Sequence, residues 1–262
     1  MKFRLYAFKS KERTELLKDH IQVGLKVIRE LYIDEGYHRH IARRVASVGA
    51  KLETWEAEAI IYMAYIYHDS GKAVEPFQSM IRKGRGAPGH EVLSAYLAAV
   101  VLKRWCKFPE DVNVGIPLAI LLHMGALRHY FESITILEKR GLASFQLTRE
   151  AIQEFNQIIS YSWPMDVSPP VIQEKDIKLR RNELLNFIKE EIFKGLPSLK
   201  YGRLKEESKR RWLLTYMVLH PLLIADEYAV AKNTGQKPRP WAKEFAETTR
   251  ALHRLRGVGG AF

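Results

Sequence analysis

The segment Tyr67-His68-Asp69-Ser70-Gly71-Lys72 sets an imidazole beside a carboxylate at the end of an apolar run. These are the two ligand types that a hydrolytic metal site uses. Four further residues of the same chemistry, His20, His90, His123 and Asp226, each sit on or beside an apolar stretch. One histidine on an apolar helix is ordinarily a hydrogen-bonded core residue. Imidazoles and carboxylates spread over several helices can instead converge inside a bundle, as buried di-metal sites do. A divalent cation held there would lower the pKa of a bound water from about 15.7 toward 7 and neutralise charge on phosphoryl oxygens. Asp69 could bridge two ions. Lys72, one turn beyond His68, would present a cation to the non-bridging phosphate oxygens. The mixture of nitrogen and oxygen donors suits Mn, Fe, Ni or Co better than calcium, and Mg could still support activity.

The elements that must position these residues are helical. After a short strand-like start, Thr14 is placed to cap a helix in which Leu17, Ile21, Leu25 and Ile28 recur at helical spacing, ending near Gly36 and carrying His20. A basic helical segment bears Arg43 and Arg44, and a third helix runs from Thr54 to the His68-Asp69 pair, with Gly71 ending it. A basic loop from Arg82 to Gly89 precedes an apolar helix from His90 to about Trp105. Further helices are expected from Val112 to Met124 and through Tyr130 to Lys139. The stretch from Gly141 to about Tyr201 is more polar, with loop signals at Trp163-Pro164 and Pro169-Pro170, and reads as an insertion or cap. A long helix from about Lys205 to Lys232 carries Asp226 and should kink at Pro221. A helix from Trp241 to Arg254 and a glycine-rich end, expected to be mobile, close the chain. With no repeat and no alternating strands, the expected architecture is one all-α domain over residues 1–262.

Composition narrows the partners. Of 262 residues 47% are hydrophobic, enough for a substantial core, while 42 Lys and Arg against 30 Asp and Glu leave a net charge of +12. Such an excess argues for a polyanionic partner, with nucleic acid first. No apolar run approaches the roughly 18 to 20 residues of a membrane span, and the N-terminus lacks the h-region of a signal peptide, so no membrane is expected and a cytoplasmic location is. Cys106 is the one cysteine, which leaves neither a disulfide framework nor a thiolate cage and fits a reducing compartment; it reads as structural.

The succession of His, His-Asp, His, His and a late Asp resembles the HD superfamily of metal-dependent phosphohydrolases over about the first 230 residues. More narrowly, His68-Asp69-Ser70-Gly71-Lys72 and Gly89-His90-Glu91-Val92-Leu93-Ser94 look like segments of the CRISPR-associated (Cas) HD-type nuclease of type I systems. The resemblance implies an HD-domain helical bundle in which His20, His68, Asp69, His90, His123 and Asp226 bind metal, with Lys72 as the motif lysine. It implies one or two divalent ions, hydrolysis of foreign DNA (single-stranded favoured, duplex or RNA possible), a separate helicase subunit and a guide-RNA surveillance complex. The family pattern breaks at His123-Met124-Gly125, where Met124 stands in place of a second histidine. A thioether is a poor ligand for hard or borderline metals, so the second ion is expected to be weak, water-completed or missing.

Gly84-Arg85-Gly86-Ala87-Pro88-Gly89 matches G-x-G-x-x-G but follows helical sequence, and Pro88 removes a donor, so no dinucleotide site is expected. Arg82, Lys83 and Arg85 instead offer cations where a nucleic-acid backbone would approach His90, or form a solvated loop. His38 and His40 read as surface residues, His129 as an auxiliary contact and His220 as structural. Among Lys209-Arg210-Arg211 and Lys237 with Arg239, at least one group is expected on phosphate. No Walker A sequence is present, so the chain is not itself a helicase. The competing functions are an HD-type nucleotide or cyclic-nucleotide phosphohydrolase and a non-catalytic nucleic-acid-binding subunit.

Overall fold

A strongly apolar stretch of the chain forms its central helix, α3 (Thr54–Tyr67). Every side chain from Ala59 to Tyr67 is buried, as a helix apolar on all faces must be. A reciprocal capping box starts it: the Glu53 side chain accepts from the backbone of Glu56, and the Glu56 carboxylate accepts from the Glu53 N–H at 2.8 Å. The computed structural model describes residues 3–49, 51–124, 144–174 and 206–258, with 135, 179–180, 184 and 186–187.

Around α3 lie α1 (Leu17–Ile28), α2 (Tyr37–Ser47), α4 (Phe77–Arg82), α5 (His90–Trp105), α6 (Glu110–Leu122), α7 (Arg149–Ser162), α8 (Glu206–Thr234) and α9 (Pro240–Val258). Among the described residues the only extended pairings besides an isolated Glu75–Gln146 bridge are two short antiparallel ladders, β1 (Tyr6–Lys9) with β2 (Thr14–Leu16) and β3 (Ser144–Phe145) with β4 (Leu179–Arg180). The described residues form an all-α bundle, as expected. Helix α8 packs against α1, α3 and α6, and α5 packs against α6 and the 3₁₀ turn at Ser70–Ala73, so the site residues face one another across these contacts.

Thr14 does not cap α1. It pairs with Lys9 in the β1–β2 hairpin, and the first helical N–H, that of Leu17, is taken by the Leu5 carbonyl at 2.9 Å. The hairpin does the work expected of a side-chain cap. Helix α1 runs at Arg29–Ile33 into a π-helical turn before Gly36. Gly71 does not end α3 either, because that helix stops at Tyr67 and Gly71 lies in the 3₁₀ turn. Helix α4, where Phe77 and Ile81 share a buried face, was not anticipated.

Pro221 sits inside α8 and cannot donate to the carbonyl of Met217. The Tyr37 hydroxyl donates to that carbonyl instead, at 3.0 Å, which binds α2 to α8. One 18-residue window within Ser208–Thr234, with mean hydropathy 1.2, meets the length and composition of a membrane span, contrary to the expectation that no run approaches it. Just over half of that window, 56%, is buried, and Leu214, Val218, Leu222 and Ala225 join the core. The polar stretch after Gly141 contains the amphipathic helix α7, capped by Thr148, which accepts from the Ala151 N–H at 3.1 Å; Ile152, Phe155 and Ile159 enter the same core. Residue His129, most of the helix expected over Tyr130 to Lys139, most of residues 175–201 and residues 259–262 lie outside the described residues.

Among side chains outside the site, His38 departs from its expected surface setting. His38 is buried in α2 rather than exposed, with an Nδ1 that finds no hydrogen-bond partner; burial, with Arg39 beside it, lowers its pKa. His220 packs edge-on against Tyr32 and contacts Phe245. Arg210 and Arg211 straddle the Asp111 carboxylate at 2.8 and 3.2 Å, tying α8 to α6, and Arg239 pairs with Glu227. Cys106 is partly buried, and burial raises its thiol pKa.

Candidate metal centre

Helix ends deliver the histidines. His68 and His123 are the C-terminal caps of α3 and α6, and His90 is the first residue of α5 after Gly89, whose φ is 94°. A helix terminus leaves backbone carbonyls without intrahelical partners. The Nδ1 of His68 bonds the Tyr65 carbonyl, that of His90 the Ala87 carbonyl at 2.7 Å, and that of His123 the Ile120 carbonyl. A carbonyl can only accept, so each Nδ1 carries the hydrogen and each Nε2 keeps its lone pair. His20, within α1, is oriented through a carboxylate instead: its Nδ1 donates to Glu15 Oε1 at 2.8 Å.

The four Nε2 atoms gather around two carboxylates. His20 Nε2 and His68 Nε2 are 3.3 Å apart, and Asp226 Oδ1 lies 3.2 and 3.5 Å from them. Asp69 Oδ2 is 3.8 Å from His20 Nε2 and 3.7 Å from His68 Nε2, whereas Asp69 Oδ1 turns to His90 Nε2 at 3.0 Å. Electron pairs facing one another at these distances repel unless a cation or proton sits among them. His90 Nε2 is buried without an aligned hydrogen-bond partner despite the nearby oxygen, so the two atoms are disposed toward a shared third body rather than toward each other. Two sets of donors lie within 4.8 Å of one another, His20 with His68 and Asp226, and His68 with Asp69 and His123. A divalent cation suits this donor set.

Protonation follows from the same crowding. Burial would lower the His20 pKa, but hydrogen bonds to Asp226 and Glu15 and the charges of Asp226 and Asp69 outweigh it and push it to about 10. Burial, together with the charges of His68 and His90, lowers His123 to about 3, so its lone pair stays available. Burial would raise Asp69 and Asp226, yet Lys72, His68 and His90 around the first, and His20 and His68 around the second, hold both carboxyls well below the usual range. Lys72 is drawn onto Asp69, its Nζ 2.7 Å from Oδ2; burial opposes its charge, but Asp69 raises its pKa.

Glycine makes the approach of the two motif segments possible. A Cβ at Gly71 would stand 2.1 Å from the His90 carbonyl oxygen, and the Gly71 N–H donates to Ser94 Oγ at 2.8 Å. The turn after Asp69 is thereby fastened to the first turns of α5. Under α1, Gly24 leaves room for Tyr65, whose hydroxyl donates to the His20 carbonyl at 3.1 Å.

The structure brings His20, His68, Asp69, His90, His123, Asp226 and Lys72 together. Met124 is 53% exposed. Two grooves meet beside the cluster. One, of about 670 Å³, is lined by Met80, Arg85, Pro88 and His90, and the other, of about 690 Å³, by Arg13, Glu15, Asp226 and Arg239; both include Phe8, Lys72 and Met124. Of the basic loop residues, Arg85 lines a groove, Lys83 is exposed, and Arg82 is engaged by Glu75 at 3.4 Å and by the Phe3 ring. Sequence reasoning missed Glu15 and Arg13, and singled out Arg239 only as part of a basic cluster. Glu15 lies in a three-residue strand five positions before His20, a spacing that no helical period singles out.

No protein-family profile matches the chain. Among characterised proteins it is 24% identical over 249 residues to the CRISPR-associated endonuclease Cas3-HD of Pyrococcus furiosus, an alignment covering 90% of this chain and 94% of that one. Among solved structures it aligns with the CRISPR-associated Cas3 HD domain protein of Methanocaldococcus jannaschii at 18% identity and a TM-score of 0.47, over 79% of this chain and 95% of that one. Sequence similarity to Cas3-HD thus extends along nine-tenths of the chain.

Proposed function

We propose that the protein is a metal-dependent nuclease that hydrolyses phosphodiester bonds of foreign DNA. The observation that carries this reading is the pair of grooves meeting at Lys72 and Met124 beside the cluster. A strand can follow one groove in and the other out, whereas a mononucleotide needs a single pocket. His20, His68, Asp69, His90, His123 and Asp226 would hold one or two divalent ions, of Mn, Mg, Fe, Ni or Co. Bound metal supplies an acidified water nucleophile and neutralises phosphoryl charge. Asp69 and Lys72 are the catalytic residues of the chain itself. Asp69 offers one oxygen to each half of the donor set, and Lys72, held at 2.7 Å from it, directs its ammonium toward charge that builds on the phosphate. Arg82, Lys83 and Arg85 would attract the backbone along the groove beside His90.

The similarity to Cas3-HD supports a nucleic-acid substrate and a role in CRISPR interference. In that setting a separate helicase subunit and a surveillance complex would supply single-stranded DNA, in the cytoplasm. Metal analysis combined with a manganese-supplemented cleavage assay on wild type and Asp69→Ala tests the proposal. The variant is expected to lose bound metal and cleavage. Full cleavage by Asp69→Ala, or turnover confined to mononucleotides, overturns it.

A further inference from the structure

We infer that Glu15 is the positioning residue that makes the His20, His68 and Asp226 half of the centre its tight metal position. The inference rests on the reading of these residues as metal ligands. Three of the four histidines have Nδ1 bonded to a neutral backbone carbonyl three residues earlier. Only His20, among these four, gives its Nδ1 hydrogen to a carboxylate, at 2.8 Å. Glu91 Oε2 stands 3.5 Å from His90 Nδ1, but that hydrogen goes to the Ala87 carbonyl at 2.7 Å. A carboxylate behind an imidazole fixes its tautomer and ring angle and makes the opposite nitrogen a stronger donor.

Glu15 is built for this. It is 4% exposed, and the same Oε1 that receives His20 Nδ1 also accepts from Asn233 Nδ2 at 2.8 Å. Burying a carboxylate this deeply is costly unless it is hydrogen-bonded, and both of its partners point into the centre's surroundings. Asn233 lies two turns beyond Asp226 on α8, so one helix supplies both a ligand and the clamp on Glu15. The β1–β2 hairpin thereby acquires a role: it carries Glu15 to the rear of His20. The other half of the donor set has neutral support behind His123 and has Met124 as its neighbour. It is the half expected to load last.

Manganese titration of metal-free protein, followed by calorimetry, tests this on wild type, Glu15→Gln and Asn233→Ala. Glutamine can still accept the His20 hydrogen but carries no charge. Glu15→Gln is expected to weaken the tightest ion about 10- to 100-fold, the range seen when such supporting groups are removed, without changing the weaker one. Asn233→Ala leaves the carboxylate in place and is expected to show a smaller loss. Circular dichroism of the metal-free variants should match wild type. Wild-type affinity in Glu15→Gln overturns the role of Glu15 while leaving the metal centre intact. Equal weakening of both ions shows a general structural effect and also overturns it. Wild-type protein that takes up no ion overturns the metal centre itself.

Discussion

His20 carries two competing occupants. Without metal it takes a proton, because Asp226, Glu15 and Asp69 hold its pKa at about 10 against an ordinary 6.5. A raised folded-state pKa contributes stability that is complete below about 6.5 and disappears as pH rises through about 10. Metal-free protein is therefore expected to melt at progressively lower temperature across that window, and His20→Gln should flatten the profile. With saturating manganese the slope should reverse, since metal and proton compete for the same nitrogen. Thermal melts at each pH, with and without the ion, read both slopes. Met124 offers a complementary test. Met124→His restores the donor that the family pattern carries, and equilibrium dialysis should show a second ion held more tightly, by at least tenfold.

Among the elements, the 3₁₀ turn after Asp69 has the least freedom. Gly71→Ala would place a methyl 2.1 Å from the His90 carbonyl, so the turn and α5 must separate. Such overpacking typically costs about 1 to 3 kcal/mol. Because the separation moves Asp69 Oδ1 away from His90 Nε2, metal affinity should fall with stability, whereas Glu53→Ala, which removes only the α3 cap, should cost about 1 kcal/mol and leave metal affinity unchanged. Denaturant melts and manganese titration on the two variants separate these outcomes. The elements were legible where their signals were local. The unbroken apolar run of α3 and the turn Gly89 before His90 gave boundaries close to those observed, and the ligand residues stood out by type. Thr14 misled because its hairpin partner Lys9, rather than its own side chain, decides its conformation. Glu15 was illegible for the same reason, since Asn233 is its partner across 218 positions. Arg239 and Arg13 joined the groove only once the hairpin and the end of α8 were brought together.

For the whole molecule the net charge of +12 is the dominant field. Part of it is spent internally, on pairs such as Arg210 and Arg211 with Asp111 and Arg239 with Glu227. What faces solvent still favours polyanions. Binding of a single-stranded oligonucleotide should weaken steeply with salt, its logarithmic slope near −0.7 per phosphate contact. Arg85→Glu should make that slope shallower by about one contact, and fluorescence anisotropy over a salt series measures it.

The bond from Asn233 to Glu15 joins the far end of α8 to the N-terminal hairpin. Proteins are made from the N-terminus onward, so a growing chain has His20, His68, Asp69, His90 and His123 long before it has Asp226 or Asn233. During synthesis the centre is an incomplete cage. It closes only when α8 has been produced, and a truncated product ending before α8 would lack both the late carboxylate and the clamp behind His20. The order of synthesis itself thus keeps partial chains from carrying an assembled metal centre.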